Sequence, residues 1–168
     1  MAGRHAGGTT DVPAAIDLRA RVATTAVAQT IALGEVLGRV AAAGDLICLW
    51  GDLGAGKTHL AKAFGAGLGV ADTITSPSFI LMAEYEGRLP LFHIDLYRLT
   101  DATDALAGGL IDDRQAAGVT LVEWPDRLGP ALPVRRLDVV IAGAGDEPRT
   151  ITLRARDAGL RRYLDAVP

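Results

Sequence analysis

Between Trp50 and His59 the chain reads Gly51-Asp52-Leu53-Gly54-Ala55-Gly56-Lys57-Thr58. This is the complete pattern G-x-x-x-x-G-K-[ST], whose glycines let backbone N–H groups turn inward around phosphate oxygens. In that pattern the Lys57 ammonium reaches the β- and γ-phosphates, and the Thr58 hydroxyl binds Mg²⁺. The stretch therefore predicts a nucleoside-triphosphate site that all eight residues form.

The residues on either side of the loop have the patterns that this motif needs. Leu46–Trp50 is a short apolar run typical of a buried strand. Residues 59–68 carry apolar side chains at helical spacing, and Gly69 supplies a helix stop. A helix that begins near Lys57 points the positive end of its dipole at a bound anion. This order of strand, loop and helix disfavours the alternative of a glycine-rich turn with an incidental lysine.

Composition limits the classes of function. The chain has 168 residues, 49% of them apolar, which is enough for one domain with a buried core. Its net charge of −3 gives no case for direct binding to nucleic acid, DNA included, because such binding usually needs a clustered basic surface. The single cysteine, Cys48, lies in the apolar run, and we interpret it as an inert core residue in a reducing compartment.

The termini and the apolar runs predict where the protein works. No apolar run approaches the ~20 residues of a membrane span, and residues 1–15 lack the apolar stretch of a secretory signal. We therefore expect a cytoplasmic protein without membrane contact. Residues 1–17 are rich in Gly, Ala, Thr and Pro, and they predict a disordered extension before a single domain at 18–168.

The remaining patterns predict an α/β fold. Further strands are expected at 18–24, 80–85, 89–95, 119–123, 137–141 and 150–153, and further helices at 26–40, 101–106 and 157–166. The first helix carries its apolar residues at Val27, Ile31, Val36, Leu37 and Val40. The short link 86–88 contains glycine and predicts a hairpin. Together these elements predict a single-domain, P-loop NTPase-like mixed sheet flanked by helices, with the loop at the carboxyl end of a parallel strand.

Two of the predicted strands end in a carboxylate. Asp95 closes 91–94, and Glu123 closes 119–122. If both strands run parallel to the strand before the loop, both carboxylates lie beside Thr58, where one can bind Mg²⁺ and the other can orient or deprotonate water. The pattern does not decide which carboxylate does which. The alternatives are a strand-end turn for Asp95 and a salt bridge at the sheet edge for Glu123.

Three neighbouring features have weaker interpretations. His93 shares a strand face with Asp95, and a packed or hydrogen-bonded structural role is favoured over proton transfer. Ser76 and Ser78 flank Pro77 in a polar loop that either senses phosphate or is an ordinary proline turn. For Trp124, packing in the core is favoured over covering the site.

Four segments in this order and spacing resemble one family. They are 51–58, Thr75-Ser76-Pro77-Ser78-Phe79, His93-Ile94-Asp95-Leu96-Tyr97-Arg98-Leu99 and Leu121-Val122-Glu123-Trp124-Pro125. The resemblance is to TsaE, formerly YjeE, the ATPase of bacterial tRNA threonylcarbamoyladenosine synthesis, and it runs from about residue 24 to about residue 154. It implies a single-domain ATPase that uses ATP/ADP and Mg²⁺. It also implies action with TsaB and TsaD, whose complex performs the transfer to tRNA, so that this chain meets tRNA only indirectly.

The resemblance also implies roles for individual residues. Residues 54–58 would bind phosphates, Thr58 and Glu123 would bind Mg²⁺, and Asp95 would be the Walker-B-like aspartate needed for hydrolysis. Segment 75–79, with Ser76 and Ser78, would be a switch-like loop. Trp124 would lie near the nucleotide, and Thr30 in Thr-x-x-Leu-Gly would lie on its base side. The chain departs from the family pattern at Ser78, where Thr is usual, in the Ala- and Gly-rich segment 104–115, and in its N-terminal extension.

Two other activities remain as alternatives. A small-molecule or nucleotide kinase shares the loop and a similar length, but should have an arginine-rich lid over the transferred phosphate. The candidate arginines are scattered along the chain, at Arg88, Arg98, Arg114 and Arg127. A regulatory GTPase needs an Asn-Lys-x-Asp motif, which the chain lacks.

Overall fold

The computed structural model describes residues 16–75, 77, 81–99 and 113–168. Its strands are β1 (Leu18–Thr24), β2 (Leu46–Trp50), β3 (Met82–Tyr85), β4 (Leu91–Asp95), β5 (Val119–Glu123), β6 (Leu137–Ala142) and β7 (Arg149–Ala155). Its α-helices are α1 (Val27–Val40), α2 (Lys57–Gly67) and α3 (Arg161–Asp165). Short 3₁₀ helices span Asp113–Ala117, Pro125–Ala131 and Ala158–Leu160. No helix of the described ranges is long and apolar enough to cross a membrane.

The strands form one sheet in the order β1-β7-β6-β2-β5-β4-β3. The central pairs are parallel: β2 pairs with β5 and β6, and β4 pairs with β5. The outer pairs β1–β7, β6–β7 and β3–β4 are antiparallel. The predicted mixed sheet is therefore confirmed. Because β2, β5 and β4 run in one direction, their carboxyl ends meet at one edge of the sheet.

Both faces of the central strand β2 are covered. Ile47 and Leu49 belong to a core cluster with α1 and α2, while Leu46 and Cys48 belong to a second cluster with Val122 and Leu128. A strand buried on both faces needs a nearly continuous apolar run, which Leu46–Trp50 supplies. Cys48 is completely buried, and burial raises the pKa of its thiol far above the usual range. This confirms its interpretation as an inert core residue.

Several predicted elements are confirmed with changed bounds. The hairpin of β3 and β4 has the expected antiparallel pairing. The terminal helix is a 3₁₀ turn that continues into α3. The expected helix 101–106 and residues 1–15 of the expected extension lie outside the described residues. At the end of that extension, Asp17 accepts hydrogen bonds from Arg19 and Arg154.

Helix α1 forms as predicted, but its buried face differs from its apolar residues. Val27 is 56% exposed and Ile31 is 36% exposed. Leu37 is buried as predicted, and the other buried positions are Thr30, Leu33, Gly34 and Gly38. Glycine causes this difference, because α1 and α2 approach backbone to backbone. A Cβ atom at Gly38 would lie 2.1 Å from the Phe64 carbonyl oxygen.

We predict that Gly38→Ala lowers the free energy of unfolding by about 1–3 kcal/mol, as overpacking does, because the two helices must separate. Gly65→Ala is the matched control: it lies in α2, and its Cβ would meet the end of the Ile74 side chain, which can move. Both variants gain about 1 kcal/mol of helix propensity. Urea unfolding measures the difference, and equal stability losses would contradict close helix packing at Gly38.

Candidate functional site

The loop between β2 and α2 has the backbone that its glycines permit. Gly54 has φ of 79° and Gly56 has φ of 109°, both in the left-handed region that side chains disfavour. A Cβ atom at either position would meet nothing within 4 Å, so the backbone conformation, not space, requires glycine. Gly56 directly precedes α2, which places the helix N-terminus at the loop. Backbone N–H groups in this arrangement can hold an anion.

Lys57 is a buried cation at the centre of the loop. Its side chain is 6% exposed, and Nζ donates hydrogen bonds to the carbonyl oxygens of Gly51 and Asp52. Burial lowers the pKa of Lys57 below its usual range, and the nearby carboxylate of Glu123 acts in the opposite direction. The loop carbonyl oxygens therefore hold the ammonium within the electrostatic influence of a carboxylate.

The two predicted carboxylates come together. Asp95 and Glu123 are register partners on the parallel strands β4 and β5, and β5 is also parallel to β2. Both strands therefore run parallel to the strand before the loop, as the sequence analysis required for the two carboxylates to lie beside Thr58. Lys57, Thr58, Asp95 and Glu123 line one cavity of about 570 Å³. Oxygen ligands of this kind suit Mg²⁺.

Sequence patterns left a salt bridge for Glu123 and a strand-end turn for Asp95 as alternatives to a role in the site. Glu123 pairs with His93 among the described residues, and it does so inside the sheet, because β5 lies between β2 and β4. Its side chain is 3% exposed and accepts a hydrogen bond of 2.8 Å from Nε2 of His93. Asp95 does cap a turn, since its Oδ1 accepts a hydrogen bond of 3.0 Å from the Tyr97 amide, and it also lines the cavity. His93 is confirmed as a buried, hydrogen-bonded histidine.

Trp124 packs against the core, as expected, and also lines the cavity. It is half-buried, and its ring lies 4.1 Å from Lys57 Nζ, measured to the ring centroid. Its backbone has φ of 58°, the left-handed conformation that non-glycine residues rarely adopt. That conformation ends β5 and turns the ring over the loop, where it also contacts Tyr97 with ring centroids 5.0 Å apart. Trp124 thus covers one side of the cavity.

The structure brings other predicted residues to different places. Ser76 and Ser78 lie outside the described residues, while Pro77 between them lines the cavity with Thr58. Thr30 lines another cavity, of about 360 Å³, and its hydroxyl lies 3.2 Å from that of Thr24. Gly54, Gly56 and His59 line both cavities. The loop therefore lies between the carboxylates on one side and Thr30 on the other.

Arg149 is a site residue that the sequence analysis missed. Its guanidinium donates hydrogen bonds to the carbonyl oxygens of Ala55 in the loop and of Gly145 and Glu147 in the β6–β7 turn. No local motif marks Arg149, because its contact with the loop depends on the pairing of β6 with β2. Tyr97 and Arg98, which also line the cavity, stand inside the motif 93–99 and could have been chosen from it.

A metal at this site needs ligands beyond the protein. Within the described ranges, no group of three or more His, Cys, Asp or Glu side chains could hold a metal ion. Thr58, Asp95 and Glu123 offer one hydroxyl and two carboxylates on one cavity. Mg²⁺ commonly binds through one or two carboxylates and completes its six oxygen ligands with phosphates and water. The residues present fit a Mg²⁺–phosphate complex better than a metal alone.

A family model and individual relatives of known name match this chain under the same description. The family model "Threonylcarbamoyl adenosine biosynthesis protein TsaE" matches residues 24–151. The "tRNA threonylcarbamoyladenosine biosynthesis protein TsaE" of Bacillus subtilis is 43% identical over 128 residues, which cover 76% of this chain and 80% of the relative. The protein of the same name from Mycobacterium tuberculosis H37Rv is 37% identical over 147 residues, 82% of this chain and 80% of the relative.

A solved structure has the same fold. The crystal structure of Bacillus subtilis YdiB superimposes with a TM-score of 0.71 at 35% sequence identity. The match covers 90% of this chain and 95% of that chain. The sheet and its flanking helices are thus shared over nearly the whole length of both proteins.

We predict that Arg149→Ala speeds amide hydrogen exchange in the loop and in the turn 143–148 by about fivefold, because a lost hydrogen bond contributes about 1 kcal/mol. Arg154→Ala on the same strand is the control, since Arg154 bonds to Asp17 instead of the loop. Mass-spectrometric exchange of peptides covering 51–58 and 143–148 checks this. Unchanged exchange in Arg149→Ala would show that the guanidinium does not fix the loop.

Proposed function

Because this chain belongs to the TsaE family, whose relatives are named for tRNA threonylcarbamoyladenosine biosynthesis, we propose that it binds and hydrolyses ATP in the service of that modification. Family membership confirms the resemblance drawn from the sequence motifs. The observation that carries the proposal is the meeting of Lys57, Thr58, Asp95 and Glu123 on one cavity at the carboxyl edge of the sheet.

Binding would rest on the loop and Lys57. The N-terminus of α2 and the inward amides attract the phosphate chain. Lys57 would exchange the carbonyl oxygens of Gly51 and Asp52 for the β- and γ-phosphates. Hydrogen bonds between two charged groups are stronger than those to neutral carbonyl oxygens, so the exchange is favourable. Thr30, on the far side of the loop, lines a cavity that fits the base side of a nucleotide.

The carboxylates would divide two roles. Mg²⁺ held beside the phosphates would supply positive charge against the negative charge that develops during hydrolysis. We assign Thr58 and Glu123 to holding it, following the family motif. Asp95 is then the carboxylate left to orient or deprotonate water, a contribution of typically 10²–10⁴-fold in general-base catalysis. Both carboxylates stand on rigid parallel strands, which fixes their separation.

We also propose that the protein acts with TsaB and TsaD, as the resemblance to the family implies. Among the described residues, Leu53 at the tip of the loop is 74% exposed, and Tyr97 at the rim of the cavity is 47% exposed. Apolar side chains beside a nucleotide cavity suit a partner that closes over it and excludes water. Hydrolysis would then be slow by the protein alone and faster on the complex.

The kinase alternative is less well supported. Arg88 is engaged with the C-terminal carbonyl oxygens of α1, at Gly38, Arg39 and Ala41, and Arg127 donates to the Leu99 carbonyl oxygen. Of the four candidate arginines, Arg98 lines the cavity. A kinase lid needs several arginines that converge on the transferred phosphate.

The test is ATP hydrolysis by the purified protein with and without the purified TsaB–TsaD complex. We expect slow turnover alone and a several-fold rise with the complex. Lys57→Ala removes both activities, because the β- and γ-phosphate charge loses its partner. The matched control is Lys62→Ala, which removes the other lysine of the chain from the same helix.

A further variant separates binding from turnover. Asp95→Asn removes one charge with little change in shape, so it should keep ATP affinity by calorimetry and slow hydrolysis. Turnover that ignores the complex, together with phosphate transfer in a small-molecule acceptor screen, would favour the kinase alternative. Unchanged ATP affinity in Lys57→Ala would remove the assignment of the loop.

A further inference from the structure

The carboxylate of Glu123 is buried and has one side-chain hydrogen-bond partner within the described ranges. Glu123 is 3% exposed, and His93 is completely buried. The atoms Nε2 of His93 and Oε2 of Glu123 lie 2.8 Å apart. A buried carboxylate is costly unless hydrogen bonds and an opposite charge compensate it. The Nζ atom of Lys57 donates hydrogen bonds to the loop carbonyl oxygens of Gly51 and Asp52. The hydrogen bond to Glu123 therefore comes from His93.

The surroundings of His93 decide which nitrogen carries the proton. Its Nδ1 atom is buried and has no hydrogen-bond partner in the described structure. A carboxylate only accepts hydrogen bonds, so the nitrogen that faces Glu123 must carry hydrogen. A ring with a single N–H then carries it at Nε2 and has a bare lone pair at Nδ1. This is the arrangement in which the histidine directs a single N–H at one oxygen of the carboxylate.

One engaged oxygen leaves the other available. The N–H of His93 occupies Oε2, and Glu123 lines the cavity beside Thr58. Oε1 is therefore the atom that can meet Mg²⁺ or its water. The hydrogen bond from the His93 ring also resists rotation of the Glu123 carboxylate toward the Lys57 ammonium. The two charges are close enough to interact electrostatically. A Glu123–Lys57 pair would withdraw both groups from the phosphates.

We propose that His93 is a positioning residue that holds Glu123 by an Nε2–H···Oε2 hydrogen bond, keeping Oε1 directed to the Mg²⁺ of the bound nucleotide. This rests on the proposed function. His93 itself touches neither nucleotide nor metal. Its loss weakens Mg²⁺ binding through Glu123 and leaves the metal-free affinity for nucleotide unchanged.

Two amide substitutions test the position of the donor. The side-chain nitrogen of His93→Gln reaches the place of Nε2, whereas that of His93→Asn reaches the place of Nδ1. Mn²⁺ binding in the presence of ADP, followed by electron paramagnetic resonance, reports the metal site without requiring turnover. We expect His93→Asn to weaken Mn²⁺ binding by about 10-fold or more, as loss of an outer partner does. His93→Gln should stay close to wild type, and metal-free ADP affinity by calorimetry should be equal in all three proteins.

Equal weakening in both variants, or in neither, would overturn the positioning role while leaving the proposed function intact. A wild-type protein that binds no metal–nucleotide complex would overturn both. A measurement on the unaltered protein covers the case in which the variants do not fold. Nitrogen-15 spectra of the histidine rings should show a proton on Nε2 of His93, and a ring protonated at Nδ1 alone would contradict the hydrogen bond to Glu123.

Discussion

Parallel pairing of β5 with β2 and β4 determines where Lys57 and the two carboxylates of the site lie. A parallel sheet collects the carboxyl ends of its strands at one edge, so the loop after β2 and the carboxylates closing β4 and β5 must meet there. Antiparallel pairing of either strand would send Asp95 or Glu123 to the opposite edge. The outer strands β1, β7 and β3 are antiparallel and carry none of the predicted metal or catalytic groups. The α/β architecture thus converts three separate sequence segments into one cavity.

Charge compensation explains why the site holds together before a nucleotide binds. Lys57 and Glu123 are both nearly inaccessible to solvent, and each would destabilise the fold if left without partners. Loop carbonyl oxygens and the Trp124 ring surround the ammonium, while His93 donates to the carboxylate. These contacts are weaker than those that a phosphate chain offers Lys57. The same groups therefore stabilise the free protein and can be released to a ligand.

The sequence predicted local features well and long-range ones poorly. The strand, loop and helix around Lys57 are adjacent in the chain, so their patterns sufficed to place them. The two acidic strand ends were recognised, but the parallel direction that joins them is a property of the whole sheet. Trp124 was assigned mainly to the core and does pack against it, but the left-handed backbone that turns its ring over Lys57 has no sequence signal in a tryptophan. Counting apolar residues placed Leu37 correctly on the buried face of α1 but missed the glycines that make the contact with α2. Arg149 reaches Ala55 from 94 positions away, beyond any motif.

We propose that the hydroxyl of Thr58 and the two strand-end carboxylates form one Mg²⁺–nucleotide site. A crystal structure with Mn²⁺ and a non-hydrolysable ATP analogue, with the metal located by anomalous diffraction, is the decisive experiment. We expect a manganese peak within bonding distance of the Thr58 hydroxyl, with Glu123 as a direct or water-mediated ligand and the phosphates in the loop. Nucleotide phosphates in the loop with manganese outside the reach of Thr58 and both carboxylates would overturn the proposal.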